Sequence, residues 1–373
     1  MDDPASVVAF TDTYHPTVNG VTYTVAAWRD RWRARGGRMD VVYPDGDGYA
    51  PGPDEHPVPS LPFPYYDGFR LGLPRLPRAV CRLDVDVVHA HTPFGLGLGA
   101  LRLARKRDAA VVASYHTPTG EYADYLTDRK RVENAIAGAS KRYERWFFGR
   151  ADAVIAPSEA TRRYLEESVR PGTPVEVVPN GIDLDRFRPV DPTAFRERHG
   201  LDGDRPLIGY TGRHGYEKRL SDLVDAAARL DVTVVFGGDG PAREDLEARA
   251  RERDVDARFL GFLDRDDLPA FYSALDAFVF PSPVETQGLV ALEANACGTP
   301  VVGADEGALA DTVAAGETGY RYGTGDVDDL RDAVWRTLDE RERLSEACLA
   351  RREENGVDRA VDRLAAVYRD LGS

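Results

Sequence analysis

The amino-acid sequence predicts an α/β protein built from two Rossmann-like domains. At 373 residues the chain is longer than one hydrophobic core usually supports, so two domains are expected. Short apolar runs rich in β-branched residues, typical of buried parallel strands, alternate with amphipathic helical stretches. Loops that contain glycine follow several of these runs and lead into helices, as in nucleotide-binding folds. Together these observations predict doubly wound parallel sheets.

The composition is acidic, with a formal net charge of −15 and a pI near 5.0. This composition predicts a halophilic protein in a high-salt cytoplasm and argues against nucleic acid as a partner. No apolar run reaches bilayer length and the first residues are acidic, so we expect a cytoplasmic protein without a spanning helix or signal peptide. Basic residues are mostly arginine, and the only lysines are Lys106, Lys130, Lys141 and Lys218.

The charge is divided unevenly along the chain. Residues 1–190 contain 25 basic and 25 acidic side chains, so residues 191–373 carry the whole net charge of −15. A neutral first half in an acidic protein predicts an anionic partner there, such as a membrane surface or a phospholipid. A helix predicted over residues 129–150 places basic side chains beside Trp146-Phe147-Phe148, which suits a membrane surface. The stronger alternative for these rings is that they enter the core.

The first predicted strand, Ser6–Phe10, leads into a loop that ends at Gly20, before a helix over residues 21–35. A glycine there lets the backbone approach a diphosphate closely, although an ordinary turn glycine is the alternative. No G-x-G-x-x-G motif is present, which argues against a nicotinamide dehydrogenase. A long proline-rich loop over residues 44–77 is expected to be functional. Further strands are predicted over residues 39–43, 86–90, 110–115, 152–156 and 175–178.

Three histidines lie at or near the carboxyl ends of these strands. His89 and His91 share one strand face and could bind a metal with a third ligand, but no neighbouring carboxylate or cysteine pattern completes a site. His116 follows the next strand, at the edge where parallel sheets bind ligands. A histidine that merely caps the strand is the alternative for His116. We therefore predict no metal site.

Residues 1–188 are predicted to form the first domain, residues 189–206 a linker, and residues 207–373 the second domain. A loop containing Arg213 and Lys218 follows the first strand of the second domain and leads into a helix, so both cations can reach a phosphate at the helix start. A surface ion pair between Arg213 and Glu217 is the modest alternative. Strands in this half are predicted over residues 207–210, 232–236, 277–280 and from residue 301.

The stretch 280–302 is predicted to be a strand end, a loop, a short helix and the next strand. Glu285 lies in the loop and Glu293 in a helix that begins near Gly288. Two carboxylates beside an anion-binding helix start suit a ligand with a phosphate between two diols, as in a nucleotide sugar. The alternative is that one glutamate favours the helix dipole and the other is solvated.

The spacing of Glu285 and Glu293, with seven residues between them, resembles the E-x7-E signature of the retaining glycosyltransferases of family 4, which have the GT-B fold. The resemblance extends over nearly the whole chain. It is carried by Pro16, Asn19 and Gly20, by the segments 114–117 and 178–183, by Arg213 with Glu217-Lys218, and by residues 294, 298–301 and 316–320.

This resemblance implies two Rossmann-like domains facing a cleft, with the last helix crossing back to the first domain. It implies a hexosyltransferase that uses a UDP or GDP sugar with retention, and catalytic roles for His116 and Glu285. Arg213 and Lys218 would clamp the diphosphate without a metal or other cofactor. The donor-binding residues are expected to be Gly20, Arg213, Lys218, Thr286, Gly288, Leu289 and Glu293.

The acceptor is expected to be a lipid or lipid-linked glycan, because the segment 114–117 and the form of residues 285–290 resemble family members that act on lipids. The protein would then lie peripherally on the inner face of the membrane. A soluble sugar acceptor is the alternative. A non-hydrolytic sugar-nucleotide epimerase, which shares the GT-B fold, is a second enzyme class, and a binding protein without catalysis is a third possibility.

Overall fold

The computed structural model of the chain describes residues 4–62, 70–116 and 130–371, with side chains omitted for residues 130–137. The chain divides into two compact units, one formed by Met1–Gly181 with Val357–Ser373 and the other by Ile182–Gly356. The predicted α/β class with two parallel-sheet domains is confirmed. This division assigns residues 182–206 to the second unit and the terminal helix to the first.

The first unit is organised around a parallel sheet. The strands of this unit are β1 (Ser6–Phe10), β2 (Arg38–Pro44), β3 (Glu55–Val58), β4 (Ser60–Pro62), β5 (Arg70–Gly72), β6 (Val87–Ala90), β7 (Ala110–Ser114), β8 (Ala153–Ala156) and β9 (Val175–Val177). Within the described residues the sheet has the order β3-β2-β1-β6-β7-β8-β9, and β4 pairs with β5 in a separate antiparallel ribbon. Its first four helices are α1 (Gly20–Ala34), α2 (Gly95–Arg107), α3 (Lys130–Phe148) and α4 (Glu159–Tyr164).

The prediction of a continuous loop over residues 44–77 is wrong, because β3, β4 and β5 lie within that range. β3 lies at the edge of the main sheet, with Pro57 opposite Tyr43 of β2. An edge strand accepts proline, since one side of its backbone makes no ladder hydrogen bonds. The prolines that favoured a loop therefore do not exclude this strand. Residues 63–69 of the predicted loop lie outside the described residues.

The second unit contains another parallel sheet. Its strands are β10 (Leu207–Thr211), β11 (Thr233–Gly237), β12 (Ala257–Gly261), β13 (Ala277–Phe280), β14 (Val301–Ala304) and β15 (Gly319–Tyr322). Within the described residues their order in the sheet is β12-β11-β10-β13-β14-β15. Its helices are α5 (Thr193–His199), α6 (Leu220–Ala227), α7 (Arg243–Glu252), α8 (Leu268–Ala274), α9 (Leu289–Ala296), α10 (Leu309–Thr312), α11 (Val327–Asp339) and α12 (Arg341–Ala350).

Residues 189–206, predicted to be a linker, contain helix α5. Phe195 of α5 is buried in the core of the second unit, with its ring 6.2 Å from that of Phe271. Phe187 is buried in the same core. Burying these rings removes a large apolar area from water, so the segment is held to the second unit rather than free.

The terminal helix α13 (Val357–Leu371) packs within the first unit. The ring of Tyr368 on α13 lies 5.3 Å from that of Trp32 on α1, and both residues are buried. Gly181 has φ +79°, and a Cβ there would lie 2.5 Å from the Cα of Val357. The close approach of this backbone to α13 therefore requires glycine. No helix among the described residues combines the length and apolar character that crossing a membrane requires.

The aromatic end of α3 separates into buried and exposed rings. Phe147 and Phe148 are buried in the core, as predicted for the rings that precede β8. Trp146 is 41% exposed, with the guanidinium of Arg150 lying 4.2 Å from its ring centroid. Lys141, Arg142 and Arg145 are also exposed. The exposed surface of α3 therefore combines basic groups with one indole ring.

Candidate active site

In the second unit, Arg213 lies on a loop shaped by glycines at the carboxyl end of β10. Gly212 has φ +139° and Gly238 has φ +99°. A Cβ on Gly238 would lie 2.0 Å from the carbonyl oxygen of Gly212, which no side chain could accommodate. The turns after β10 and β11 therefore pack backbone to backbone, because both positions are glycine. This contact fixes the start of the loop that carries Arg213.

The same loop ends at Lys218, which forms an ion pair with Glu285. The Nζ atom of Lys218 lies 2.7 Å from Oε1 of Glu285, and the two side chains are only 17% and 16% exposed. Glu285 follows β13, and β13 pairs directly with β10 in the parallel sheet. The carboxyl ends of neighbouring parallel strands meet at one edge, which brings together residues 67 positions apart.

Arg213 forms an ion pair with Glu217 within the loop, so the pair considered from the sequence is present. The backbone carbonyl of Arg213 also accepts a hydrogen bond from the Tyr210 hydroxyl at 3.3 Å. Both side chains of the ion pair are about one-third exposed. Arg213 is therefore oriented by two contacts while its guanidinium remains accessible to solvent.

The loop after β13 leads into α9, with Gly288 as the residue that precedes the helix. Gly288 has φ +78°, and a Cβ there would lie 2.7 Å from Cδ2 of Leu309. A left-handed backbone and this close approach both require glycine. Leu289 is the first helical residue, one position after the predicted start, and Thr286 is half-buried in the preceding loop.

Glu293 lies inside α9 and is nearly fully buried. Its Oε2 atom accepts a hydrogen bond of 2.8 Å from the Tyr272 hydroxyl on α8. Burial raises the pKa of the Glu293 carboxyl to about 7, although the charges of Arg265 and Arg186 and the Tyr272 hydrogen bond act to lower it. The structure therefore brings Glu285 to Lys218 and Glu293 to a different partner. The predicted ribose contact of Glu293 stays a prediction.

In the first unit, His116 lies beside His91 in a column of aromatic rings. The Nε2 atom of His116 is 3.0 Å from Nδ1 of His91, and the two rings stack with centroids 5.3 Å apart. The His91 ring stacks in turn on His89, at 4.0 Å. Burial lowers the pKa of His116 to about 4, so its ring is neutral at neutral pH.

Gly20 is the first residue of α1 and is exposed. The preceding Asn19 caps the helix, because its Oδ1 atom accepts a hydrogen bond from the Thr22 amide at 2.9 Å. Asn19 also donates from Nδ2 to the hydroxyl of Thr13 at 2.6 Å. The loop that ends at Gly20 is therefore held by side-chain hydrogen bonds at the start of α1.

Asp12 is a buried residue that the sequence analysis missed. Its carboxylate accepts hydrogen bonds from the Thr92 hydroxyl at 2.6 Å, the Gly72 amide at 2.9 Å and the Leu96 amide at 3.3 Å. Burial raises the pKa of Asp12 to about 6, against these hydrogen bonds. Asp12 ties β5 and the start of α2 to the loop after β1. Its position two residues after a buried strand is the signal that could have identified it.

Among the described residues, no three histidine, cysteine, aspartate or glutamate side chains form a group that could hold a metal ion. His89 instead contacts the Tyr368 hydroxyl through Nδ1 at 2.6 Å and the Ser114 hydroxyl through Nε2 at 2.7 Å. The two histidines that share a strand face are therefore engaged with protein groups and with each other.

The sequence matches two family models. Residues 18–186 match the model described as Glycosyltransferase Family 4, and residues 191–352 match the model described as Glycosyl transferases group 1. The chain is 33% identical over 365 residues to a GDP-mannose-dependent alpha-mannosyltransferase of Mycobacterium tuberculosis, a match that covers 94% of this chain and 92% of that protein.

Two further relatives carry different names. The Arabidopsis thaliana sulfoquinovosyl transferase SQD2 is 32% identical over 306 residues, which are 79% of this chain and 58% of that protein. The alpha-monoglucosyldiacylglycerol synthase of Streptococcus pneumoniae is 29% identical over 311 residues, which are 79% of this chain and 69% of that protein.

Among solved structures, the sucrose-phosphate synthase of Thermosynechococcus elongatus superimposes with a TM-score of 0.79. The superposition covers 98% of this chain and 99% of that chain, at 22% sequence identity. An identity this low demonstrates a shared fold rather than a shared substrate. With the family models and the mannosyltransferase match, these similarities show that the chain belongs to the family 4 glycosyltransferases and has the GT-B fold.

Proposed function

We propose that this glycosyltransferase transfers a hexose, with retention, from a UDP or GDP sugar to a hydroxyl group of a lipid or lipid-linked acceptor. The observation that carries the proposal is the loop after β10, which carries Arg213 and brings Lys218 against Glu285 of the neighbouring strand end. Two cations next to a carboxylate suit a ligand in which a diphosphate adjoins a sugar.

The cations supply the positive field that a leaving diphosphate needs. As the bond between the anomeric carbon and the diphosphate oxygen breaks, negative charge grows on the phosphate oxygens, and Arg213 and Lys218 stabilise it without a metal ion. Glu285, which has two acceptor oxygens, binds hydroxyls of the transferred sugar. The GDP-mannose-dependent relative supports a nucleoside-diphosphate sugar as donor.

Retention follows if the acceptor attacks from the face that the diphosphate leaves. The acceptor oxygen forms a bond to the anomeric carbon, and its proton passes to the departing phosphate oxygen. His116, neutral at neutral pH, donates a hydrogen bond to the sugar without adding a charge near the anomeric carbon.

A lipid acceptor is supported by the name of the monoglucosyldiacylglycerol synthase relative. It is also supported by the neutral charge of residues 1–190 and by the exposed basic surface of α3 beside Trp146. Each basic side chain near an anionic surface contributes about 1 kcal/mol at moderate ionic strength, and high salt screens most of it. Peripheral contact with the inner face of the membrane is therefore expected to be salt-sensitive.

A donor screen tests the transferase. The purified chain is titrated by calorimetry with UDP and GDP in high-salt buffer, with and without EDTA, and turnover is then measured with UDP-glucose and GDP-mannose. Binding that survives EDTA and an α-linked product, identified by NMR, would support the proposal. A sugar nucleotide converted to its epimer in the absence of any acceptor would instead identify an epimerase.

Sedimentation with liposomes that contain anionic lipid tests the acceptor. A variant with Lys141, Arg142 and Arg145 changed to glutamine should lose low-salt binding. The matched control changes three exposed arginines of the second unit, Arg205, Arg253 and Arg258, and should bind as the unmodified chain does. Absence of low-salt binding, together with efficient transfer to a soluble sugar, would contradict the proposal of a lipid acceptor. The proposal of transferase activity would still stand.

A further inference from the structure

His89, His91 and His116 form one continuous column in the first unit. The ring centroids of His89 and His91 are 4.0 Å apart, and those of His91 and His116 are 5.3 Å apart, with interplanar angles of 26° and 14°. Trp28 of α1 lies against all three rings, at 5.9, 5.8 and 6.3 Å. The column is therefore packed as a unit, which leaves each ring little freedom to turn.

The two ends of the column differ in their hydrogen bonds. At one end, His89 uses both ring nitrogens, because Nδ1 contacts the Tyr368 hydroxyl and Nε2 contacts the Ser114 hydroxyl. At the other end, Nδ1 of His91 contacts Nε2 of His116 at 3.0 Å. The second ring nitrogen of His91, Nε2, is buried and has no hydrogen-bond partner among the described residues.

This arrangement constrains the protons. Burial, with a smaller effect of neighbouring histidines, holds the pKa of His91 well below its usual range, and burial lowers that of His116 to about 4. Both rings are therefore neutral at neutral pH, and in their mutual hydrogen bond one nitrogen donates while the other accepts.

The unpartnered nitrogen decides the direction of the bond. If the proton of His91 were on Nε2, a buried N–H group would have no acceptor, and orphaned buried N–H groups are rare. With the proton on Nδ1, His91 donates to Nε2 of His116 and leaves only a lone pair at its own Nε2. His116 must then carry its proton on Nδ1.

We infer that His91 is a positioning residue: its Nδ1–H group holds the His116 ring and keeps the proton of His116 on Nδ1, as a hydrogen-bond donor. This inference rests on the proposed function, in which His116 donates a hydrogen bond to the transferred sugar. Without His91 the His116 ring loses the hydrogen bond that keeps its proton on Nδ1, so turnover falls while nucleotide binding in the second unit is retained.

Nitrogen-15 NMR tests the tautomer directly, without any ligand. The chain has seven histidines, so the ring signals can be assigned by single substitutions. We expect protons on Nδ1 of both His91 and His116 in the unmodified chain, and a shift of His116 toward the Nε2–H tautomer in His91→Phe, which keeps an aromatic ring in the stack. A proton on Nε2 of His116 in the unmodified chain would overturn the inference.

Kinetics provides the second test, measured as nucleoside diphosphate released from GDP-mannose or UDP-glucose with acceptor present. His91→Phe should lower kcat by about five- to tenfold, no more than the loss of His116 itself, with donor KM changed less than about twofold. His91→Asn, whose side-chain amide can donate from near the position of Nδ1, should recover most of that loss. If His91→Phe fails to fold, the ring tautomers of the unmodified chain still decide the inference.

The matched control is Tyr368→Phe, which removes a hydrogen bond from His89 but leaves the bond between His91 and His116. It should retain kcat within about threefold of the unmodified chain. An equal loss in Tyr368→Phe, or full activity in His91→Phe, would show that the column is only structural. If the unmodified chain releases nucleotide from neither donor, the proposed function fails, whereas the NMR result still decides the inference about His91.

Discussion

The two units hold their candidate residues by different physical means. In the first unit, His116 is held by stacking and by a hydrogen bond between two neutral rings. In the second unit, Lys218 and Arg213 are held by ion pairs with Glu285 and Glu217. The candidate histidines of the first unit therefore carry no charge at neutral pH, whereas the candidate residues of the second unit are opposite charges.

This difference separates the expected roles. Charged groups bind a diphosphate strongly and respond to salt, because exposed charges are screened within about 10 Å at moderate ionic strength. A neutral imidazole forms directional hydrogen bonds but carries no charge. Its contribution to catalysis therefore depends on the orientation of the ring and on which ring nitrogen carries the proton. We therefore expect substitutions of Arg213 and Lys218 in the second unit to change donor affinity, and substitution of His116 in the first unit to change turnover.

The largest effect is expected from Lys218→Ala or Arg213→Ala. Each leaves a bound diphosphate with one cation fewer, and a hydrogen bond to a charged group is worth roughly 1.5–3 kcal/mol, so affinity for GDP or UDP should fall by about 10- to 100-fold. Calorimetry measures this loss directly. Arg205→Ala, which removes an arginine from an exposed pair with Asp231, is the control. Unchanged affinity in both site variants would show that Arg213 and Lys218 do not bind the diphosphate.

A smaller effect, of about tenfold on kcat, is expected from His116→Ala, because one neutral hydrogen bond to the sugar is lost. Affinity for the nucleoside diphosphate should change less than about twofold. Product formation at saturating donor measures the first quantity, and calorimetry measures the second. His56→Ala, which removes a histidine held by Asp40 in the same sheet, is the control. An intact rate would identify His116 as a cap of its strand.

Substitution of each of the two glutamates of the second unit should change a kinetic constant by roughly three- to tenfold, but the constant that changes most should differ between them. Glu285→Gln should chiefly lower kcat, because Glu285 is expected to contact the transferred sugar. Glu293→Gln should raise donor KM more than it lowers kcat, as expected for a ribose contact made equally in the ground and transition states. Steady-state kinetics with varied donor distinguishes them, and the reverse pattern would exchange the two roles.

The last comparison concerns stability rather than donor binding or turnover, because two buried glutamates have pKa shifts of opposite sign. The pKa of Glu293 is about 7 in the folded protein against an ordinary 4.5, so the native state binds its proton more tightly. The free energy of unfolding should therefore fall as pH rises from about 4.5 to about 7, by as much as about 3 kcal/mol. Glu293→Gln should raise Tm by a few degrees above pH 7 and little near pH 5, as measured by calorimetry.

Glu55 of the first unit provides the opposite case. Burial acts to raise its pKa, but hydrogen bonds from the Gly52 amide and the Tyr49 hydroxyl, with the charge of Arg29, outweigh burial and lower it. Its contribution to stability is present above the ordinary pKa and is lost on acidification. Glu55→Gln should therefore lower Tm more at pH 7 than at pH 4. Changes in Tm that are the same at every pH, in both Glu293→Gln and Glu55→Gln, would contradict the pKa shifts of these two glutamates.

Much of the fold could be predicted, because periodicity is a local property of the chain. Buried parallel strands such as Ser6–Phe10 and Ala277–Phe280 are continuous apolar runs, and the glycines beside Arg213 and at residue 288 identify turns that lead into helices. The prediction of secondary structure was wrong where one local sequence pattern is compatible with two different structures. Prolines near residue 57 suit a loop or an edge strand, and residues 189–206 resemble a linker although α5 buries Phe195.

The sequence by itself determined the α/β class, the charge asymmetry and the residue types at the strand ends, since each depends on composition or on neighbours along the chain. Only the tertiary structure decided which of those residues meet. Lys218 pairs with Glu285 because β10 and β13 are adjacent in the sheet, and His91 bonds to His116 because β6 and β7 are adjacent. Strand order is set by packing and ladder hydrogen bonds across distant segments, so no local pattern specifies these partners.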